Sequence, residues 1–474
     1  MADNDVTQLD VASLQARRAE GTLTAVELFW ASVERIGGTG LNAVRAVNPD
    51  ALAMAEASDR RARSGRLLGP LDGIPILLKD NIDTGDKMPT TAGSVALAGT
   101  YADRDASLVR RLRRAGAVLL GKANLTEWAN WMAHHMPNGY SSLGGQVQNP
   151  YGPGQWDVGG SSSGSGSAVA AGLTTLAVGT ETSGSILSPS SSNSVVGIKP
   201  TVGLVSRRGI VPISWSQDTA GPMARTVADA AVLLEVMAGR DRGDPATWAA
   251  PVPGRYRDAL RPDALVGVRL GIARRGYWER LSPPRQAVAD KALAALSAAG
   301  ATIVEVGLPT WGELPGLDVL RYEFQPALNA YLAGRRGAPI HSLADLVQYN
   351  QAHAGTALRY GQAVLLACLA TSADLTDPQY WAARRRDMQT AGAEGIDAAL
   401  VRDDVQALIF VGAMGAGIAA KAGYPSVTVP AGYTEAGEPV GITFTGSAWQ
   451  EARLLGLAFA FEQATRARRP PDNR

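Results

Sequence analysis

Two serines and a lysine carry most of the chemistry this sequence offers. Ser161 follows Gly159 and Gly160 at the start of a Gly/Ser-rich run, and Ser185 ends the segment Thr182-Ser183-Gly184-Ser185, 24 residues further on. Between them lies AVAAGLTTLAV, which reads as a short helix feeding a strand. A flexible linker would show no such apolar phasing. A helix followed by a strand can fold back and bring both hydroxyls to one place. Turn serines of this kind can present a hydroxyl or aim backbone N–H groups at an anion, whereas a lone serine in such a run is ordinarily a solvated turn residue.

Lysine usage raises the odds that these serines have a base beside them. Of 45 Lys+Arg only six are lysines: Lys79, Lys87, Lys122, Lys199, Lys291 and Lys421. Arginine serves wherever any positive charge will do. A general base must lose its proton, which a buried lysine can do and arginine cannot. Lys79 ends the apolar run GIPILLK and is followed at once by Asp80 and Asn81, so the pattern predicts a lysine with a lowered pKa at the end of a buried strand. The alternative is a snorkelling lysine paired with Asp80 or Asp83.

The stretches GIPILLKDN, PTTAGS at 89–94, GGSSSGSGSA at 159–168 and GTETSGS at 179–185 together resemble the amidase signature family of serine hydrolases. Within it the chain is most similar to the bacterial peptide amidases, with SQDTAGPMAR at 216–225 and the ending EQATRARRPP adding to the likeness. The resemblance implies Lys79 as base, Ser161 as bridging serine and Ser185 as nucleophile of an amide hydrolase that forms an acyl-enzyme. It further implies an oxyanion hole of backbone N–H groups at Thr182, Ser183, Gly184 and Ser185, and a cis bond between Gly160 and Ser161. Ser162 is expected to hold Lys79 by accepting a hydrogen bond.

The chain departs from the family pattern at Ser183, Ser194 and Val158, where Gly or Asp, Gly, and Pro are usual. ALIFVGAMGAG replaces a run with a Pro-Thr-Thr element, and a piece after it is missing. The expected substrate is a small or short-peptide amide, foremost a C-terminal carboxamide. An aryl acylamidase, and an amidotransferase-type subunit of a larger complex, are the alternatives. Trp128, Trp131, Trp156 and Trp215 lie in or beside the motifs and could wall an apolar pocket.

Other chemistries find less support. GSSSG at 160–164 matches the nucleophile elbow of an α/β-hydrolase with Ser162 as nucleophile, but no strand precedes it and the last histidine is His353. A net charge of +1 shows no bias toward nucleic acid. One cysteine excludes an internal disulfide, and four histidines without an HExxH spacing predict no metal. No cofactor is expected. The start of the chain has no basic and apolar signal pattern, and the longest apolar run, 407–420, is fourteen residues, short of a membrane span. A cytoplasmic monomer or homodimer is the expectation.

The elements that must position these residues alternate. Asp10, Thr24 and Asp50 are expected to cap three helices reaching 18, 36 and 63, and 71–79 reads as the first core strand. A helix over 106–115 leads into the strand AVLLG, and Thr226 caps the helix VADAAVLLEVMAG. VGVRLGIA, a helix over 285–298 and ATIVEVGLP form a further βαβ unit, and strands return at ALIFV, SVTVP and VGITFTG before a last helix over 451–467. This alternation predicts an α/β protein with its sheet covered on both faces. The resemblance implies a single α/β/α domain over 1–474 around a central mixed sheet. Its catalytic core spans about 65–240 and 400–474, with a helical elaboration over about 310–406 that shapes the pocket mouth.

Overall fold

The computed structural model describes residues 5–310 and 312–472. Eleven strands form one mixed sheet. From one edge they run Val44–Val47, Val118–Ala123, Pro75–Lys79, Leu176–Glu181, Thr219–Ala224 and Val196–Lys199, then Ser426–Tyr433, Pro439–Thr445, Ala407–Val411, Arg269–Ile272 and Thr302–Glu305. Pro75–Lys79 is parallel to both its neighbours, and the strands from 176 to 224 and from 426 to 445 pair antiparallel.

Side-chain alternation along the central strands explains why both faces are covered. Ile76 and Leu78 join one buried apolar cluster, while Leu77 between them joins the cluster on the opposite face. Leu119 divides from Val118 and Leu120 in the same way, as the two-residue period of a strand requires. Helices Val227–Met237 and Glu451–Thr465 supply the first cluster, and Ser163–Ala170 the second. A third apolar cluster belongs to the helices between 318 and 387 and includes Trp128, Phe324 and Leu328.

The expected helices form, with instructive differences. Asp10 and Thr24 cap theirs, Thr24 through a full capping box with Glu27. Asp50 does not cap Ala51–Arg63, because its carboxylate is drawn to Lys87 Nζ at 2.6 Å. The strand expected over 71–79 begins only at Pro75. Upstream, the buried carboxylate of Asp72 is tied to Arg61, Ser58 and the Leu68 N–H, and Gly73 turns at φ +80°. An edge strand, Val44–Val47, precedes it, so the core strand is second in the chain. The last helix stops at Thr465, since Arg466 turns left-handed. The apolar run 407–420 is divided between a strand and a helix by a turn at Gly412, and among the described residues no helix is long and apolar enough to cross a membrane.

Candidate active site

Neighbouring strand ends bring the chemistry together. Pro75–Lys79 and Leu176–Glu181 are adjacent, parallel and in register at Leu78 and Val178, so Lys79 and Thr180 emerge at the same edge. That is where α/β sheets characteristically bind ligands. Ser161 stands just before helix Ser163–Ala170, which leads the chain away from this edge, and Leu176–Glu181 returns it. Ser185 follows that strand. The Ser162 N–H donates to the Ser185 carbonyl at 3.1 Å and joins the two serine loops.

Lys79 is fully buried. Its Nζ lies 2.8 Å from Ser161 Oγ, 2.9 Å from Thr180 Oγ1 and 3.2 Å from the Thr180 carbonyl oxygen. Burial pushes the ammonium down to about 7, with Glu181 and Asp218 pulling the other way. Neither carboxylate offered as an ion-pair partner reaches it. Asp80 accepts from the Thr91 hydroxyl, and Asp83 takes Arg335 at 2.6 Å and the Tyr331 hydroxyl at 2.8 Å. Nor does Ser162 hold Lys79. The Ser162 hydroxyl donates to the Thr180 carbonyl at 3.1 Å and accepts from the Thr180 N–H at 3.2 Å, so Thr180 occupies the place expected of Ser162.

The peptide bond between Gly160 and Ser161 is cis. Gly160 is confined there, because a Cβ would lie 2.6 Å from Thr126 Oγ1 and 2.7 Å from Asn138 Oδ1. Ser185 is 8% exposed against 0% for Ser161 and Lys79, so it is the most accessible of the three. Among the described residues no hydrogen bond joins the Ser161 and Ser185 hydroxyls.

Glu181 shapes the turn before Ser185. Its carboxylate accepts from the N–H groups of Gly184 at 2.7 Å, Ile186 at 2.7 Å and Leu187 at 3.0 Å. The Gly184 N–H is therefore engaged and is not free for an oxyanion, which corrects one of the four expected donors. Those of Thr182, Ser183 and Ser185 have no acceptor among the described residues. Gly184 has φ +86°, a conformation that favours glycine, while the Ser183 side chain is exposed. Behind the turn, Thr182 Oγ1 donates to Asp218 Oδ1 at 2.5 Å, and the other Asp218 oxygen accepts from the Ile213 and Ser214 N–H groups. Burial raises Asp218 to about 6 against these hydrogen bonds.

Sequence comparison decides what this geometry belongs to. A family model described as Amidase matches residues 26–352, more than half of the chain. The chain belongs to the amidase family. The structure of native peptide amidase from Stenotrophomonas maltophilia is 48% identical in sequence, superposes with a TM-score of 0.92, and is matched over 99% of either chain. An amidase family protein from Bacillus anthracis is 38% identical with a TM-score of 0.93, over 98% of this chain and 92% of that one. A probable amidase of Arabidopsis thaliana is 42% identical over 460 residues, 94% of this chain and 87% of the plant protein. The protein is thus an amide-hydrolysing enzyme of the amidase signature type.

Several features of this amidase were not singled out from the sequence. Thr180, Glu181 and Asp218 lie inside quoted motifs, but their side-chain partners depend on how two loops pack. The altered segment Gly412–Ala416 also bears on the site: a Cβ on Gly184 would lie 3.4 Å from Ala416 Cβ and 3.8 Å from Ala413 Cβ. Ser194 takes the left-handed conformation, φ 51°, that explains the usual Gly, and its hydroxyl meets Tyr433 at 2.8 Å. Of the four tryptophans, Trp131 and Trp215 line cavities, Trp128 is core, and Trp156 packs over Gly152. The cavity that Trp215 lines, about 410 Å³, reaches Asn81, Thr180 and Thr182 at its inner end, while neither Ser161 nor Ser185 lines it.

Proposed function

We propose that this enzyme hydrolyses carboxamides at the C-terminus of peptides or amino acids, releasing ammonia, through an acyl-enzyme on Ser185. The observation that carries the mechanism is the 2.8 Å contact of a fully buried lysine with Ser161. A neutral Lys79 has two N–H bonds and one lone pair. The Thr180 carbonyl can only accept, so it takes one N–H, and if Thr180 Oγ1 accepts the other, the lone pair is left for the Ser161 proton.

As Ser185 Oγ attacks the carbonyl carbon, its proton passes to Ser161 and the Ser161 proton to Lys79. The carbonyl oxygen gains negative charge, which the N–H groups of Thr182, Ser183 and Ser185 receive. Collapse breaks the C–N bond, and Ser161 protonates the departing nitrogen while Lys79 returns its proton to Ser161. Water then attacks the ester with the same relay running again. Thr180 and Glu181 act as positioning residues, one for the lysine and one for the turn.

The likeness to a peptide amidase over nearly the whole of both chains supports the peptide reading of the acyl group. We further infer that residues 1–474 work as a single catalytic domain, with the helical region that follows 318 tied to the loop after Lys79 through Arg335, Tyr331 and Asp83. The test is a panel of N-protected dipeptide amides, amino acid amides and glutamine, run against a Ser185→Ala control on protein of known size. Ammonia release from dipeptide amides that is absent in the control supports the reading. Turnover of glutamine alone, in a larger assembly, would assign the amidotransferase role instead.

A further inference from the structure

We propose that Glu323, on a helix outside the catalytic core, is a positioning residue of the oxyanion hole, and that it acts on the Thr182 N–H through Ser214 and Asp218. The inference rests on the oxyanion role given above to that N–H.

Glu323 lies in helix Asp318–Ala333 and is 1% exposed. Nearby cations are engaged elsewhere: Arg321 on the same helix pairs with Asp318, and Arg207 pairs with Asp244. A carboxylate taken out of water without a counter-ion is costly unless hydrogen bonds replace its hydration. Four donors do so here. Oε2 accepts from the Ser214 hydroxyl and from the Ser216 N–H at 2.9 Å, while Oε1 accepts from the Ser216 hydroxyl and from the Tyr380 hydroxyl at 2.7 Å. Three of the four donors belong to the segment 214–216.

That segment has little else to hold it. Residues 211–218 belong to no helix or strand, and Trp215 in their midst is exposed. Fixing Ser214 and Ser216 fixes the N–H groups of Ile213 and Ser214, which donate to Asp218 Oδ2 at 2.8 and 2.9 Å. The other Asp218 oxygen accepts from the Thr182 hydroxyl. A threonine whose hydroxyl is tethered has its side chain and the adjoining peptide plane restrained together. The Thr182 N–H, which has no acceptor among the described residues, is thereby held in one direction. Loss of a whole oxyanion donor costs about 10²–10³ in kcat, and a poorly aimed one loses part of that. Loosening the chain of bonds at Glu323 blurs the aim of a group needed in the transition state, without touching the surfaces that bind the amide beforehand. Such a change lowers kcat and leaves KM in place.

The experiment measures kcat and KM for ammonia release from an N-protected dipeptide amide by the full chain as wild type, Glu323→Leu, Glu323→Gln, Thr182→Val and the Glu323→Leu, Thr182→Val pair. Leucine offers no acceptor and is expected to lower kcat about ten- to a hundredfold with KM held within about threefold. Glutamine keeps an acceptor for Ser214 and the Ser216 N–H, and its NH2 can donate to the Ser216 and Tyr380 hydroxyls, so it should restore kcat to within about threefold of the wild type. Thr182→Val keeps the N–H and cuts the chain at its other end. In that background Glu323→Leu is expected to cost less than about threefold more, since both act along one route. A loss in Glu323→Leu that falls on KM, that glutamine does not restore, or that multiplies in full with Thr182→Val overturns the inference while leaving amide hydrolysis by Ser185 intact. Should leucine prevent folding, the Ser216→Ala, Tyr380→Phe pair removes both hydroxyls from Oε1 and meets the same criterion: a loss of kcat at constant KM that disappears beside Thr182→Val supports the inference, and an unchanged kcat overturns it. A wild type that releases no ammonia from the amide brings down the proposed hydrolysis, and this inference with it.

Discussion

Two strands of this sheet end in the same way and present their last side chains to different partners. Pro75–Lys79 and Val196–Lys199 each run apolar into a lysine that the fold buries completely. Burial depresses both ammonium groups, Lys79 to about 7 and Lys199 to about 8, with Glu181 opposing in each case. Burial and depressed basicity therefore do not distinguish a base from a structural cation. The acceptors do. Lys199 Nζ donates to the carbonyls of Tyr424 at 2.6 Å and Pro200 at 3.3 Å, neither of which has a proton to give. Lys79 faces two hydroxyls, Ser161 and Thr180, and a hydroxyl can hand over its proton.

The most severe way to break this comparison is to remove the hydroxyls that Lys79 serves. Ser185→Ala is expected to abolish burst acylation and nearly all turnover, and Ser161→Ala to lose most of it. The double variant should fall little further than the worse single one, because the residues act as a unit. Steady-state and burst kinetics on folded protein check this, and full activity in Ser161→Ala would remove the relay.

Exchanging the two lysines sharpens the contrast. Lys79→Arg keeps the charge but cannot accept a proton, and is expected to lower kcat by about 10²–10⁴-fold, the usual worth of a general base. Lys199→Met, which removes the two carbonyl hydrogen bonds, is expected to lower the thermal midpoint while the folded fraction keeps kcat within about tenfold. An active Lys79→Arg enzyme would show that a buried charge matters rather than a base, and equal loss in both variants would show that proton acceptance does not set Lys79 apart from Lys199.

The smallest effect is expected at Ser183. Its side chain is exposed and its N–H has no acceptor among the described residues, so Ser183→Gly should retain activity within about tenfold, roughly 1.4 kcal/mol in the barrier. A collapse in kcat/KM would give the hydroxyl a direct part in binding substrate.

What could be read beforehand follows the range of the interactions. The strand ending at Lys79 and the βαβ unit over 269–305 are set by local apolar runs, whereas the helix after Ser161 begins in Ser163-Gly164-Ser165-Gly166-Ser167, which carries no apolar period, ahead of the AVAAG stretch read as its start. Lysine scarcity narrowed the base to six residues, and only the motif around Lys79 separated it from Lys199, whose strand shows the same pattern. Thr180 in place of Ser162 was not legible, because which second hydroxyl reaches Lys79 beside Ser161 depends on the pairing of Leu78 with Val178. The short edge strand Val44–Val47 has too few residues for its alternation to stand out. The cavity joins Asn81, Ile213 and Ala327, which are far apart in the chain and meet only after the helices pack on the sheet.

The dependence of kcat/KM on pH tests the role of Lys79 most directly. Its folded pKa is lowered to about 7, so the neutral, proton-accepting form is lost as pH falls below that value and predominates above it. For a primary amide, kcat/KM should fall about tenfold per pH unit well below 7 and level off on the alkaline side. Lys199→Met should leave that limb in place. A flat profile from about pH 5.5 to 9, or a limb that moves with Lys199, would contradict a neutral Lys79 as the base.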